Sequence, residues 1–187
     1  MQKPVNVILG SQSPRRLEIL QDAGFIVKVI EPKVEEVFPP QMSAELVPEF
    51  LAQLKLEAVY SAININDTLL ICADTIVLFE NKIIGKPVDT AQSYALLSAL
   101  NGKSHQVITG VCMRYQHKQI TFSETAKVFF KNLNKETIEQ YINTCQTLDK
   151  AGAYNIQEYN GIDKIEGEFY NVMGLPINRV LQEIEKW

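Results

Sequence analysis

The chain has 187 residues, of which 46% are hydrophobic and 21% charged, and its formal net charge is −4. That content suits one ordinary domain over 1–187 with a full core and excludes a disordered polyampholyte. The 18 basic residues against 22 acidic ones argue against broad nucleic-acid binding, and no uncharged apolar run of about 18 residues points to a membrane span. Cys72, Cys112 and Cys145 are far apart and odd in number, so neither a disulfide framework nor a zinc site is expected. The N-terminus shows no cleavable signal pattern, so the expected setting is cytoplasmic.

Elements follow in chain order. Val5 to Leu9 is a short apolar run, predicted as a buried strand. Ser11 to Ser13 is a polar turn, and Pro14 to Ala23 is predicted as a helix, with proline at its start and Gly24 past its end. Phe25 to Ile30 is a second strand, and Glu31 to Pro40, with three prolines, is a loop. Ser43 caps a long predicted helix over 44–63. Leu69 to Phe79 is a third strand, turned by Glu80-Asn81 into Lys82 to Ile84. A helix over 91–100 ends at Asn101-Gly102. Ser104 to Tyr115 and Gln119 to Phe130 are β-branched and aromatic, and predict a long hairpin. Asn134 caps a helix to Thr144, Leu148 to Glu158 is irregular, Tyr159 to Ile165 is a short strand, and Pro176 opens the last helix. This alternation predicts an α/β class with a mixed β-sheet and flanking helices.

Four segments carry candidate chemistry. Ser11-Gln12-Ser13-Pro14-Arg15-Arg16 sits between strand and helix. It puts arginines in a first turn that already carries about half a positive charge and would stably hold acids. An anion at that point would reconcile the pattern, bound by backbone N–H groups, hydroxyls and a guanidinium. The competing reading is a solvated helix start. The second segment is Leu69 to Phe79, where Asp74 is the lone charge in eleven residues. A buried carboxylate needs a partner, a metal or a cleft, so Asp74 is a candidate general base or metal ligand. The third comprises Lys86, in Gly85-Lys86-Pro87, and Lys55, within an apolar helix. The first sits on a rigid short loop near the sheet that holds Asp74 and the second could enter a cleft, although lysines are commonly solvated or snorkelled. In the fourth, Asp149 to Gln157, small residues allow close approach while Tyr154 and Gln157 could stack on and hydrogen-bond a base. His105 reads as structural, and with His117 it makes too few histidines for a His-rich metal site.

Taken together, these segments resemble the Maf family of nucleoside triphosphate pyrophosphatases. The resemblance rests on Ser11 to Arg16 with Leu20, Ala73 to Val77, Gly85 to Pro87, Leu100 to Val107, Thr109 to Val111, Asp149 to Tyr154 and Asn171 to Pro176, in order. It implies two lobes around a central cleft, similar to inosine triphosphate pyrophosphatases, and cleavage between the α and β phosphates with Mg²⁺ or Mn²⁺. The Asp149 to Tyr154 segment followed by Ile156-Gln157 looks like the branch acting on dTTP and UTP. The family's specificity positions fall on Arg15, Thr75 and Gln157, and its proton acceptor on Asp74. Ser11, Ser13, Lys55 and Lys86 are then expected at the phosphates, and Glu35 as a second carboxylate beside Asp74 for the metal. Asn101-Gly102 in place of Ser-Gly, and Asn155 and Glu158 where glycines are common, are departures that touch the base pocket. The expected partner is a nucleoside triphosphate, with no nucleic acid or membrane, and a homodimer is left open. The alternative function is a nucleotide-binding regulator of septum formation with little turnover.

Overall fold

The computed structural model of the protein describes residues 6–63 and 67–187. Among them, seven strands form one mixed sheet in the order β2-β1-β3-β5-β6-β7, with β4 paired to β3 off that path. The N-terminal unit is β1 (Asn6–Gly10), α1 (Pro14–Asp22) and β2 (Ile26–Val29), with β1 parallel to both β2 and β3. Val5, predicted to open β1, lies outside the described residues. Then come α2 (Val47–Ala62), β3 (Leu69–Phe79), β4 (Lys82–Ile84) and α3 (Thr90–Leu100). β5 (Ser104–Tyr115) and β6 (Lys118–Phe130) form the long antiparallel hairpin, followed by α4 (Lys135–Thr144), β7 (Ile162–Glu166), α5 (Phe169–Met173) and α6 (Ile177–Glu185).

β3 organises the molecule. It is buried on both faces, which is why its sequence is continuously apolar. Its even-numbered residues Leu70, Cys72, Ile76 and Leu78 pack with α2, while Leu69, Ile71 and Ala73 pack with α1 and α6. One edge pairs with β5 from Leu70 to Leu78. The other pairs with β1 only as far as Cys72, opposite Gly10, and with β4 only from Val77, opposite Ile84. The backbone of residues 73–76 is therefore left open along that edge. Gly110 on β5 lets α2 approach: a Cβ there would stand 2.2 Å from the backbone carbonyl carbon of Pro48.

Several boundaries differ from the sequence expectation for identifiable reasons. The helix predicted over 44–63 begins as a 3₁₀ turn (Ala44–Leu46), and the α-helix starts at Val47, placing Pro48 where no N–H is needed. Ser43 spends its hydroxyl on Glu45 instead of capping the backbone. The last strand starts at Ile162, because Tyr159 turns inward onto Phe130 and Tyr141. α5 was not anticipated; it is one short turn closed by Gly174 in the left-handed region at φ 112°. Pro176 stands just before α6 and not inside it.

Candidate active site

A cavity of about 600 Å³ opens where the edge of β3 is unpaired. One wall is the β1–α1 turn and the α5–α6 corner, over the core built by Leu9, Leu20, Met173 and Leu175. The other is the β4 loop and the segment from Asp149 to Ile156, over the core of Leu97, Val128, Phe130 and Tyr141. These are the two lobes, and β3 runs beneath both.

Because strand residues alternate, Asp74 and Thr75 enter the cavity from opposite faces of the sheet. Asp74 faces α2. Residues Leu51, Ala52, Leu56 and Val59 bury one side of that helix and carry Lys55 with them. Lys55 Nζ lies 2.5 Å from Asp74 Oδ1 and 3.0 Å from Glu36 Oε2, with the Lys55 and Asp74 side chains 8% and 12% exposed. The buried carboxylate thus has its counter-ion, and two carboxylates converge on one ammonium at the cavity wall.

Thr75 faces α1 and α5. Arg16, buried at the start of α1, donates from Nε to Gly174 O (2.7 Å), from Nη1 to Ser11 Oγ (3.0 Å) and from Nη2 to Thr75 Oγ1 (3.0 Å). Burial lowers the Arg16 pKa from its ordinary value, with Asp74 pushing the other way. Ser13 precedes α1 without a side-chain cap; its N–H goes to Ser11 Oγ at 3.2 Å. The N–H groups of Arg15 and Arg16 therefore have no side-chain cap, and both residues line the cavity. Arg15 is half-buried, donates to Met173 O at 3.3 Å and lines the cavity, as does the exposed Lys86 on the opposite wall.

Tyr154 lines the deep end. Its hydroxyl shares a 2.7 Å hydrogen bond with His105 Nε2, and its ring packs edge-on against Phe130. Burial pushes Tyr154 well above the usual phenol range and His105 down to about 4, so both are neutral near pH 7. Lys150, 7% exposed, also lines the cavity and is tied to Asp149 Oδ1 (2.7 Å) and Gln146 O (2.9 Å).

Of the residues singled out from the sequence, Ser11, Ser13, Arg15, Lys55, Asp74, Thr75 and Lys86 all line this cavity. Glu35 and Gln157 do not; their neighbours Glu36, Asn155 and Ile156 do. Around Glu35 the chain turns locally, Val37 N–H bonding Glu35 O at 3.0 Å, and it is Glu36 that reaches Lys55. Likewise Asn155 Oδ1 accepts the Gln157 N–H at 3.2 Å, and Gln157 itself is exposed. An acidic pair beside the first loop is visible in the sequence, but which member points inward is not. Lys55 was expected at the phosphates and instead holds carboxylates. Of the two arginines at the helix start, it is Arg16 that braces Ser11, Thr75 and Gly174.

Among the described residues no group of three or more His, Cys, Asp or Glu side chains forms a metal cage. Asp74 and Glu36 already share the Lys55 ammonium, so an oxygen-preferring ion of the Mg²⁺ or Mn²⁺ type would fit only against their other oxygens, on the cavity side. Such ions are commonly held by one or two carboxylates and completed by water and phosphate oxygens.

The fold and cavity define a mixed-sheet α/β protein with a cation-lined cleft between two lobes. Its architecture is similar to that of the Staphylococcus aureus Ham1 protein (TM-score 0.54, 17% identity, covering 97% of this chain and 98% of that one), a likeness of fold alone. The profile described as "Maf-like protein" matches residues 6–187, and the chain belongs to that family. It is 42% identical to a Porphyromonas gingivalis protein named dTTP/UTP pyrophosphatase (98% of this chain, 94% of that protein). Proteins of the same name from Bacteroides thetaiotaomicron (40%; 96% and 95%) and Thermosipho africanus (42%; 94% and 90%) are similar over nearly as much.

Proposed function

We propose that this protein hydrolyses dTTP and UTP between the α and β phosphates, releasing the monophosphate and pyrophosphate. The observation that carries the reading is the convergence of Asp74 and Glu36 on Lys55, across one cavity from Arg15 and Lys86. Acid groups that can position water or a cation thus face cations that can take a polyanion. The names of the similar proteins supply the substrate class.

Each group has a distinct task. Arg15, Lys86 and the N–H groups at the start of α1 bind the phosphates. Asp74 has its Oδ1 held by Lys55, which leaves Oδ2 to take the proton of the attacking water. In the other role open to Asp74, it would join Glu36 in holding Mg²⁺ or Mn²⁺, which when bound would offset charge on the phosphate oxygens. Thr75, Asn155 and Tyr154 surround the base, and Gln157 would meet it from the rim. Three free cysteines, two of them buried, suit a reducing, cytoplasmic compartment, and no helix among the described residues is long and apolar enough to cross a membrane.

A panel of nucleoside triphosphates, assayed separately for pyrophosphate and phosphate with and without Mg²⁺ or Mn²⁺, tests the reading. Pyrophosphate from dTTP and UTP, dependent on the cation, is expected. Phosphate as the sole product would refute it.

A further inference from the structure

Thr75 does not meet the cavity as a free hydroxyl. It lies directly opposite Thr109 on β5 in the strand register, with the two Oγ1 atoms 2.9 Å apart. Thr109 is fully buried, and its hydroxyl donates to Asn171 O at 2.9 Å. A threonine hydroxyl carries one proton, so Thr109 has none left for Thr75. The shared bond therefore runs from Thr75 to Thr109, and the single proton of Thr75 is spent inside the protein. Arg16 Nη2 donates into one Thr75 lone pair at 3.0 Å. What remains towards the cavity is one lone pair: an acceptor and no donor.

Two further features hold this direction. Asn171, which has no exposure, donates from Nδ2 to Val107 O at 2.9 Å, pinning α5 onto β5 and keeping its carbonyl over Thr109. Gly174 keeps the approach to Thr75 open. A Cβ there would stand 3.5 Å from Thr75 Oγ1 and 3.4 Å from Arg16 Nε, covering the hydroxyl.

We propose that Thr109 is a specificity-positioning residue: by fixing the hydrogen-bond direction of Thr75, it makes the cavity select a base edge that donates. This rests on reading the cavity as a site for uracil or thymine nucleotides. With the N3 position of the base set against Thr75, the N3–H of uracil or thymine donates, whereas N3 of cytosine accepts and would face the Thr75 lone pair; the C4 amino group of cytosine also donates, but from a neighbouring position. Turning the chain round to suit cytosine would strip Asn171 O of its Thr109 donor in a fully buried place. A loss of that kind is worth on the order of 10-fold in affinity.

The test measures binding of product monophosphates by calorimetry, so it does not depend on turnover. The wild-type protein is expected to bind UMP at least about 10-fold more tightly than CMP. Thr109→Val keeps the volume but removes the acceptor and frees the Thr75 proton. It is expected to bring the UMP to CMP ratio to within about 3-fold of unity, chiefly by improving CMP. Thr109→Ser restores the hydroxyl and the ratio. Thr75→Val, at a half-buried position, removes the acceptor itself and is expected to abolish the preference; it decides the matter should Thr109→Val not fold. Equal UMP and CMP binding by wild type overturns the proposal, as does a preserved ratio in Thr109→Val or in Thr75→Val. Failure of wild type to release pyrophosphate from UTP, with UMP still preferred over CMP, would sink the pyrophosphatase reading and leave this one standing.

Discussion

Lys55 Nζ lies 2.5 Å from Asp74 Oδ1, joining the middle of α2 to the open edge of β3. Neither residue is stable there alone. The Asp74 and Lys55 side chains are only 12% and 8% exposed, and an unpaired charge at that depth is costly.

Asp74→Asn keeps the shape of the side chain and removes the base. Turnover is expected to fall at least ~10²-fold while the far-ultraviolet circular dichroism spectrum is unchanged. Initial rates of pyrophosphate release check it, and a rate near that of wild type would remove Asp74 from the chemistry.

Lys55→Met leaves both Asp74 and Glu36 without their shared cation. Breaking a buried pair from one side costs about 3 kcal/mol, at the low end of the usual range because the Asp74 side chain keeps 12% of its exposure. The double variant Lys55→Met/Asp74→Asn is expected to recover about half of that loss in urea unfolding, since it removes the stranded charge.

The two adjacent arginines separate cleanly. Arg16→Ala strips donors from Gly174 O, Ser11 and Thr75, and is expected to cost about 3 kcal/mol of stability. Arg15→Ala loses only a long bond to Met173 O. Its melting temperature is expected to match wild type without ligand, but to lose most of the rise that pyrophosphate produces. Thermal scans of both variants, with and without pyrophosphate, distinguish the roles.

His105 gives the protein an acid-sensitive core. Burial pushes its pKa down to about 4, below the ordinary value near 6.5. Between those values the unfolded chain binds a proton that the folded one refuses. Stability is therefore intact above about pH 6.5 and falls as the pH drops towards 4, by roughly 3 kcal/mol for this group. His105→Gln retains a polar partner for Tyr154 and cannot titrate. Its melting temperature is expected to fall less steeply than wild type between pH 7 and 5.

Much of the fold is legible from the chain alone. The eleven-residue apolar run reads as a strand, and its limits, Leu69–Phe79, emerge unchanged in the structure. The β5–β6 hairpin is similarly legible from its β-branched residues, as is the start of α1 from Pro14 and the polar turn before it. The lone Asp74 and the misplaced arginines mark the site, because each breaks a rule of stability that a ligand or partner must repair. Tertiary structure alone decided the partners. Whether Glu35 or Glu36 faces inward depends on how one irregular loop lies on α2, and no local preference separates two adjacent glutamates there. Which arginine is braced and which keeps only one long bond depends on where the α5–α6 corner places the carbonyls of Met173 and Gly174, some 158 residues away. The acceptor character of Thr75 depends on the pairing of β3 with β5 and the docking of α5 over Thr109. Hydrogen-bond direction is a property of the assembled chain of donors, and no single residue in the sequence carries it.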